Sequence, residues 1–281
     1  MKLFLECLPC MLRQTLEASY MATDDEAIHE SIMDEALEKI SEYRKYNCAP
    51  ELCEAMHSIV KRHSGISDPY AKIKIRDISE ALKLEPVIRN FAEDNNDLLL
   101  KALKIAATGN VMDSALYKNL DIESCLIEEL EKPFAICDKN EFKKDLCKAK
   151  TILIIGDNAG EVVFDKILAE YLSHDHKVIY SVRDKPIIND ATIEDALKTG
   201  IVDYSEIIST GCGMPGAVIE SCSIEFQEIF NSADIIISKG QGNFEALSDT
   251  KRSIYFLLKA KCNRIAKVLG VEINEYAFKR N

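Results

Sequence analysis

"TILIIGDNAGE", residues 151–161, decides how this chain is read. An apolar, β-branched run from Thr151 to Ile155 stops at Gly156, and Asp157 and Asn158 follow at once. A strand covered on both faces reads as such an unbroken apolar run. Gly, Asp and Asn after it mark a turn at its carboxyl end. Many nucleotide-binding folds place a glycine-rich phosphate loop at that point, yet here a carboxylate stands in it. Four more runs of the same kind follow: KVIYSV (177–182), EIIST (206–210), DIIIS (234–238) and SIYFLL (253–258). Helix-patterned segments near 160–173, 191–199, 216–231 and 242–248 separate most of them. Strands alternating with helices predict parallel crossovers and a three-layer α/β unit with a mainly parallel sheet.

Before residue 149 the pattern is helical. Ile28, Ile32, Ala36 and Ile40 recur at four-residue steps, with Asp24 and Asp25 as N-cap candidates in front of them. Leu52, Met56 and Val60 share one face of the next segment, which Gly65 ends. DPYAKIKIRDISEALKL starts with a proline just inside, as helices often do, and NDLLLKALKIAATGN is a further helix closed by Gly109 and Asn110. The reading is therefore a helical region, 1–148, followed by an α/β region, 149–281. No repeat, low-complexity linker or Pro-rich hinge divides them, so the two can pack as one compact body.

The chain has 281 residues, 47% of them apolar and 29% charged, with a formal net charge of −12. That balance argues against nucleic acid, whose binders show a basic face. No run of 18 apolar residues suggests a membrane span, and MKLFLECLPCMLRQ lacks a signal-peptide core. The expectation is a cytoplasmic protein whose 10 cysteines are mostly reduced. Nothing in the residues sets an oligomeric state.

Open α/β sheets bind ligands beyond the carboxyl ends of their strands. Asp157 and Asn158 follow the first strand and Asp190 the second; together they are a partial oxygen shell for a hard divalent cation such as Mg²⁺ or Mn²⁺. Lys239, Gly240, Gly242 and Asn243 follow the fourth strand, and Gly211 and Gly213 the third. Glycines let backbone N–H groups approach an anion, a helix start favours negative charge, and a lysine is a point charge for phosphate. A carboxylate beside phosphate costs about 4 kcal/mol at 4 Å and an effective dielectric of 20. A cation between them reverses that sign.

Plainer readings exist for each piece. Asp157 and Asn158 fit turn chemistry or helix capping, and Asn189 or Asp190 fits an N-cap. Lys239 fits an exposed loop lysine, and Glu161 a solvated helix residue. Asp68, Asn110 and Asp113 fit helix caps. Cys7 and Cys10, in CLPC, fit packed thiols on one helix face, or with Cys48 and Cys53 a structural zinc site. Cys125, Cys137, Cys147, Cys222 and Cys262 read as core or incidental, and His174 and His176 as solvated. What favours function is that three such pieces fall at successive strand ends.

GDNAGE, RDKPIINDAT and KGQGNFE resemble the motifs of the metal-dependent damage-control phosphatases, the ARMT-like family once described as a domain of unknown function. CLPCMLRQ, DPY, TGNVMD and FLLKAKC resemble its archaeal and bacterial CxxC-containing branch. The resemblance spans essentially the whole chain. It implies a helical N-terminal region packed on a Rossmann-like unit, and phosphatase activity with Mn²⁺, Mg²⁺, Co²⁺ or Ni²⁺ on sugar phosphates or damaged phosphometabolites. It assigns the metal to Asp157, Asn158 and Asp190 and a phosphate contact to Lys239, and places Asp68, Asn110 and Asp113 at the pocket edge. The expected reaction is phosphomonoester hydrolysis, with water or Asp157 as nucleophile. Two alternatives remain at this point. One is an S-adenosylmethionine-dependent carboxyl methyltransferase with Asp184 on the ribose, and the other a non-catalytic metabolite-binding protein.

Overall fold

The computed structural model describes residues 1–93, 97–109 and 122–281. Asn110 and Asp113 lie outside the described residues.

Helices α1 (Cys7–Ala22), α2 (Glu26–Ser41) and α3 (Ala49–Ser64) form an N-terminal bundle. The four-residue apolar step explains it: Ile32, Ala36, Leu52, Met56 and Val60 are all fully buried and meet in one cluster. Asp25 caps α2 by accepting from Ala27 N, and Gly65 ends α3 at φ +72°. α4 (Ala71–Glu93) starts two residues later than its proline suggested, with Pro86 inside it. α5 (Leu98–Thr108) and α6 (Ile122–Glu131) follow.

The five expected strands are present: β2 (Thr151–Ile155), β3 (Lys177–Val182), β4 (Glu206–Ser209), β5 (Ile235–Lys239) and β6 (Tyr255–Lys259). Two more were not anticipated, β1 (Phe134–Cys137) and β7 (Tyr276–Arg280). The sheet order is β1-β7-β6-β5-β2-β3-β4. The five expected strands are mutually parallel, while β7 is antiparallel to β6 and parallel to β1.

The remaining helices are α7 (Lys139–Leu146), α8 (Val162–Ser173), α9 (Ile193–Leu197), α10 (Ile224–Ser232), α11 (Gly240–Leu247) and α12 (Asn263–Leu269). The helix expected over 216–231 is shorter, because residues 211–223 double back: Ser223 N donates to Thr210 O at 3.0 Å, and α10 starts behind Ser223 as its cap.

Alternation along each strand divides the core between the two sheet faces. Ile152, Ile154, Val178, Tyr180 and Ile237 pack with α5 and α8 residues on one face. Leu153, Ile155, Ile179, Ile236 and Phe256 pack with α10, α11 and α12 residues on the other. Helices from residues before 148 thus cover the sheet, and β1 extends it. The architecture is a three-layer α/β fold with a mainly parallel sheet. No described helix is long and apolar enough to cross a membrane.

Candidate active site

The segment after β3 folds back across the turn after β2. Ala191 N donates to Asp157 O at 2.9 Å, Ala159 N to Asn189 O at 2.8 Å, and Asn158 and Asp190 form an antiparallel bridge. This short pairing brings the three oxygen-bearing residues together, although 32 positions separate Asn158 from Asp190. Neither plain capping reading describes them. Thr192 caps α9 in a capping box with Asp195, and Asn158 makes no side-chain cap bond. Asp157, Asn158 and Asp190 are buried at 7%, 7% and 3% exposure, deep enough that each needs a partner.

Arg183, the first residue after β3, is the partner of Asp190: its Nε donates to Oδ2 at 2.7 Å. Its Nη2 lies 3.9 Å from Asp157 Oδ1 and donates to Asn243 Oδ1 at 3.1 Å. Burial opposes the Arg183 charge, but Asp190 and Asp157 beside it raise its pKa all the same. Sequence reading left this residue out of the site, although it opens the RDKPIINDAT motif.

Lys239 ends β5 as expected, but its side chain turns into the protein. Its Nζ donates to Asp165 Oδ1 at 2.6 Å and to Glu161 Oε2 at 3.1 Å. The network continues on both sides, from Tyr180 OH to Asp165 Oδ2 at 2.7 Å and from Asn158 Nδ2 to Glu161 Oε1 at 3.2 Å. Glu161 is therefore not a solvated helix residue; it is 3% exposed and joins Lys239 to Asn158. Burial opposes the Lys239 charge, yet Asp165 and Glu161 push its pKa upward. Burial also raises Asp165, which Lys239 only partly offsets.

Asn243 is fully buried, and its amide serves four internal bonds. It accepts from Arg183 and from Ala217 N, and donates to Gly156 O and Lys239 O. It ties the turns after β2, β3 and β5 to each other. Gly240, at φ +76°, leaves room that a Cβ would fill, only 1.9 Å from Asp157 Oδ2. Gly211 packs on Ser223 and Gly213 faces Lys185, and neither lines the cleft that holds the acidic residues.

That cleft has a volume of about 790 Å³. Asp157, Asn158, Asp190 and Gly242 lie in its wall, with Cys10 and Arg13 of α1, Cys53 of α3, Glu245 of α11, Lys261 from the turn after β6 and Arg264 of α12. Lys239, Gly240 and Asn243 do not line it. Cys7 and Cys262 also border the cleft. No group of three or more His, Cys, Asp and Glu with metal-holding geometry occurs among the described residues, so the four-cysteine zinc site is not formed. Asp68 pairs with Lys74 at 2.8 Å and lies outside the cleft lining.

The charge balance of the centre is uneven. Four buried carboxylates (Asp157, Glu161, Asp165 and Asp190) meet two buried cations (Arg183 and Lys239), a formal balance of −2. Asp157 bears the excess. Burial, then the charges of Asp190 and Glu161, hold its carboxyl well above the usual carboxylate range. A doubly charged hard cation would cancel this balance, and two carboxylates with an amide oxygen are the donors such an ion takes. The residues therefore fit a divalent metal.

Fold and site together define a three-layer α/β protein with a cleft at the carboxyl ends of its parallel strands, in whose wall Asp157, Asn158 and Asp190 lie. The model of the damage-control phosphatase ARMT1-like domain matches residues 3–276. A damage-control phosphatase of Pyrococcus horikoshii is 35% identical over 286 aligned residues, covering 100% of this chain and 99% of its own length. One of Archaeoglobus fulgidus is 30% identical, covering 99% of both. An uncharacterized protein of Methanocaldococcus jannaschii is 34% identical, over 96% of this chain and 92% of its own. The crystal structure of a DUF89 family protein from Pyrococcus horikoshii superposes with a TM-score of 0.92 at 35% identity, covering 100% of this chain and 99% of that one. The chain belongs to the ARMT1-like damage-control phosphatase family, and the phosphatase expected from its motifs stands.

Proposed function

We propose that this chain hydrolyses phosphomonoesters of small metabolites, sugar phosphates or damaged phosphometabolites, with Mn²⁺, Mg²⁺, Co²⁺ or Ni²⁺ held by Asp157, Asn158 and Asp190. The observation that supports it most is the meeting of two carboxylates and an amide side chain, Asp157, Asp190 and Asn158, at a buried centre that opens on a cleft. Once bound, the ion would supply Lewis-acid charge for the phosphoryl oxygens and lower the pKa of water.

The chain's own residues prepare this site. Arg183 fixes Asp190, and Glu161, itself held by Lys239, takes Asn158 Nδ2, which makes Oδ1 the amide's acceptor atom. The side-chain-free Gly240 gives Asp157 its place against the start of α11, where backbone N–H groups and the positive helix end favour an anion. Lys239 acts on phosphate through this scaffold; its own ammonium is committed to two carboxylates. Water is the nucleophile in this reading, because Asp157 is occupied as a ligand.

Purified protein is tested with each of the four ions against p-nitrophenyl phosphate and a panel of sugar phosphates, beside Asp157→Ala. Metal-dependent turnover that vanishes in Asp157→Ala is expected. Unchanged metal-dependent turnover in that variant would overturn the assignment.

A further inference from the structure

The KGQGNFE motif ends on a glutamate that the site so far leaves without a task. Glu245 sits on α11 and lines the cleft together with Gln241 and Gly242, which share its helix face. Its Oε1 accepts from Gln241 Nε2 at 3.0 Å. α11 begins at Gly240, against the Asp157 carboxylate. Glu245 lies five residues further on, about 7–8 Å along the axis at 1.5 Å per residue. The carboxyl thus faces the same cleft as Asp157, more than one helix turn beyond it along α11.

We infer that Glu245 is the general acid of the reaction, giving its proton to the leaving-group oxygen. The inference rests on the phosphatase reading above. In the step, a water oxygen bonds to phosphorus and its proton passes to solvent. The ester P–O bond breaks, its electron pair stays on the leaving oxygen, and the Glu245 proton joins that oxygen. Solvent then returns a proton to the carboxylate.

The surroundings suit an acid that must be protonated near neutrality. Burial raises the Glu245 pKa to about 7, against the hydrogen bond from Gln241 and the charge of the Met1 amino group. That amino group donates to Glu245 O at 2.7 Å and pairs with Asp249 at 3.2 Å. Its neighbours include the thiols Cys7 of α1 and Cys48 and Cys53 of α3, and the charged Glu6, Arg13, Lys261, Arg264 and Lys267 line the same cleft. Burial raises all three thiols, so each is neutral at pH 7.

Two substrates of nearly one shape separate a proton donor from a packing residue. p-Nitrophenyl phosphate leaves readily without protonation; phenyl phosphate does not. Positioned general acids contribute about 10²–10⁴-fold. With manganese, Glu245→Gln should lose about 100-fold or more in kcat/KM on phenyl phosphate, and under about tenfold on p-nitrophenyl phosphate. The wild-type profile on phenyl phosphate should fall above about pH 7, and the variant should lack that limb. Gln241→Ala, which removes a bond to the carboxylate, should shift the limb upward. Equal losses on both esters, no loss on phenyl phosphate, or a limb that persists in Glu245→Gln each overturns the inference. If wild type cleaves neither ester with any of the four ions, the phosphatase reading fails, and the acid with it.

Discussion

Replacing Lys239 by Met distinguishes a lysine that holds the site together from one that grips phosphate. The side chain is 1% exposed and bonded to Asp165 at 2.6 Å and Glu161 at 3.1 Å. Methionine fills similar space but leaves two buried carboxylates without their cation. Breaking a buried pair from one side costs about 3–5 kcal/mol. Unfolding entropy scales as about 2.1 cal/mol/K per residue, so 281 residues give about 0.6 kcal/mol/K. The expected fall in Tm is therefore about 5–8 °C at pH 7, read by calorimetry on metal-free protein. The deficit should narrow in acid. Asp165 already has a raised pKa, which loss of Lys239 raises further, so the folded variant holds protons that the unfolded chain releases. Its stability consequently falls as pH rises through that shifted pKa. A Tm within about 1 °C of wild type, accompanied by a KM increase of tenfold or more, would refute the reasoning and return Lys239 to the phosphate.

Other consequences follow from the same geometry. Asp157→Asn should abolish metal-dependent turnover yet raise the metal-free Tm, because a carboxylate with a raised folded pKa costs stability as pH climbs through it; the gain should shrink toward pH 4 in a pH series of melts. Gly240→Ala puts a Cβ 1.9 Å from Asp157 Oδ2 at a φ of +76°, so manganese affinity by titration calorimetry should weaken by about 10–100-fold. His57 is buried, and burial, then Lys61, lowers its pKa to about 4. Between pH 6.5 and 4 it should cost up to about 3 kcal/mol of stability as the unfolded chain takes up the proton first, and His57→Phe should flatten that part of the curve in urea titrations.

The parallel strands were legible because each is an apolar run bounded by turn residues, and that pattern is a property of the run alone. β1 and β7 were not. FAIC is four residues long with alternate residues half-buried and exposed, and YAFKR ends in two charges. Such segments become strands by pairing with each other and with β6. Likewise the type and order of the site residues could be read, since GDNAGE, RDKPIINDAT and KGQGNFE sit where strands end. What their side chains touch could not.

The amino-acid sequence by itself determined the layered α/β fold, the placing of acids and glycines at strand ends, and the family. Only the tertiary structure decided that Asp190 meets Arg183, that Lys239 turns inward to Glu161 and Asp165, that Asn243 is a brace, and that Gly211 and Gly213 lie off the cleft. The reason is geometric. Hydrophobic pattern and turn chemistry act over a few neighbouring residues, whereas the direction of a buried charge is chosen by partners 7 to 78 positions away, which only the packed chain brings within reach.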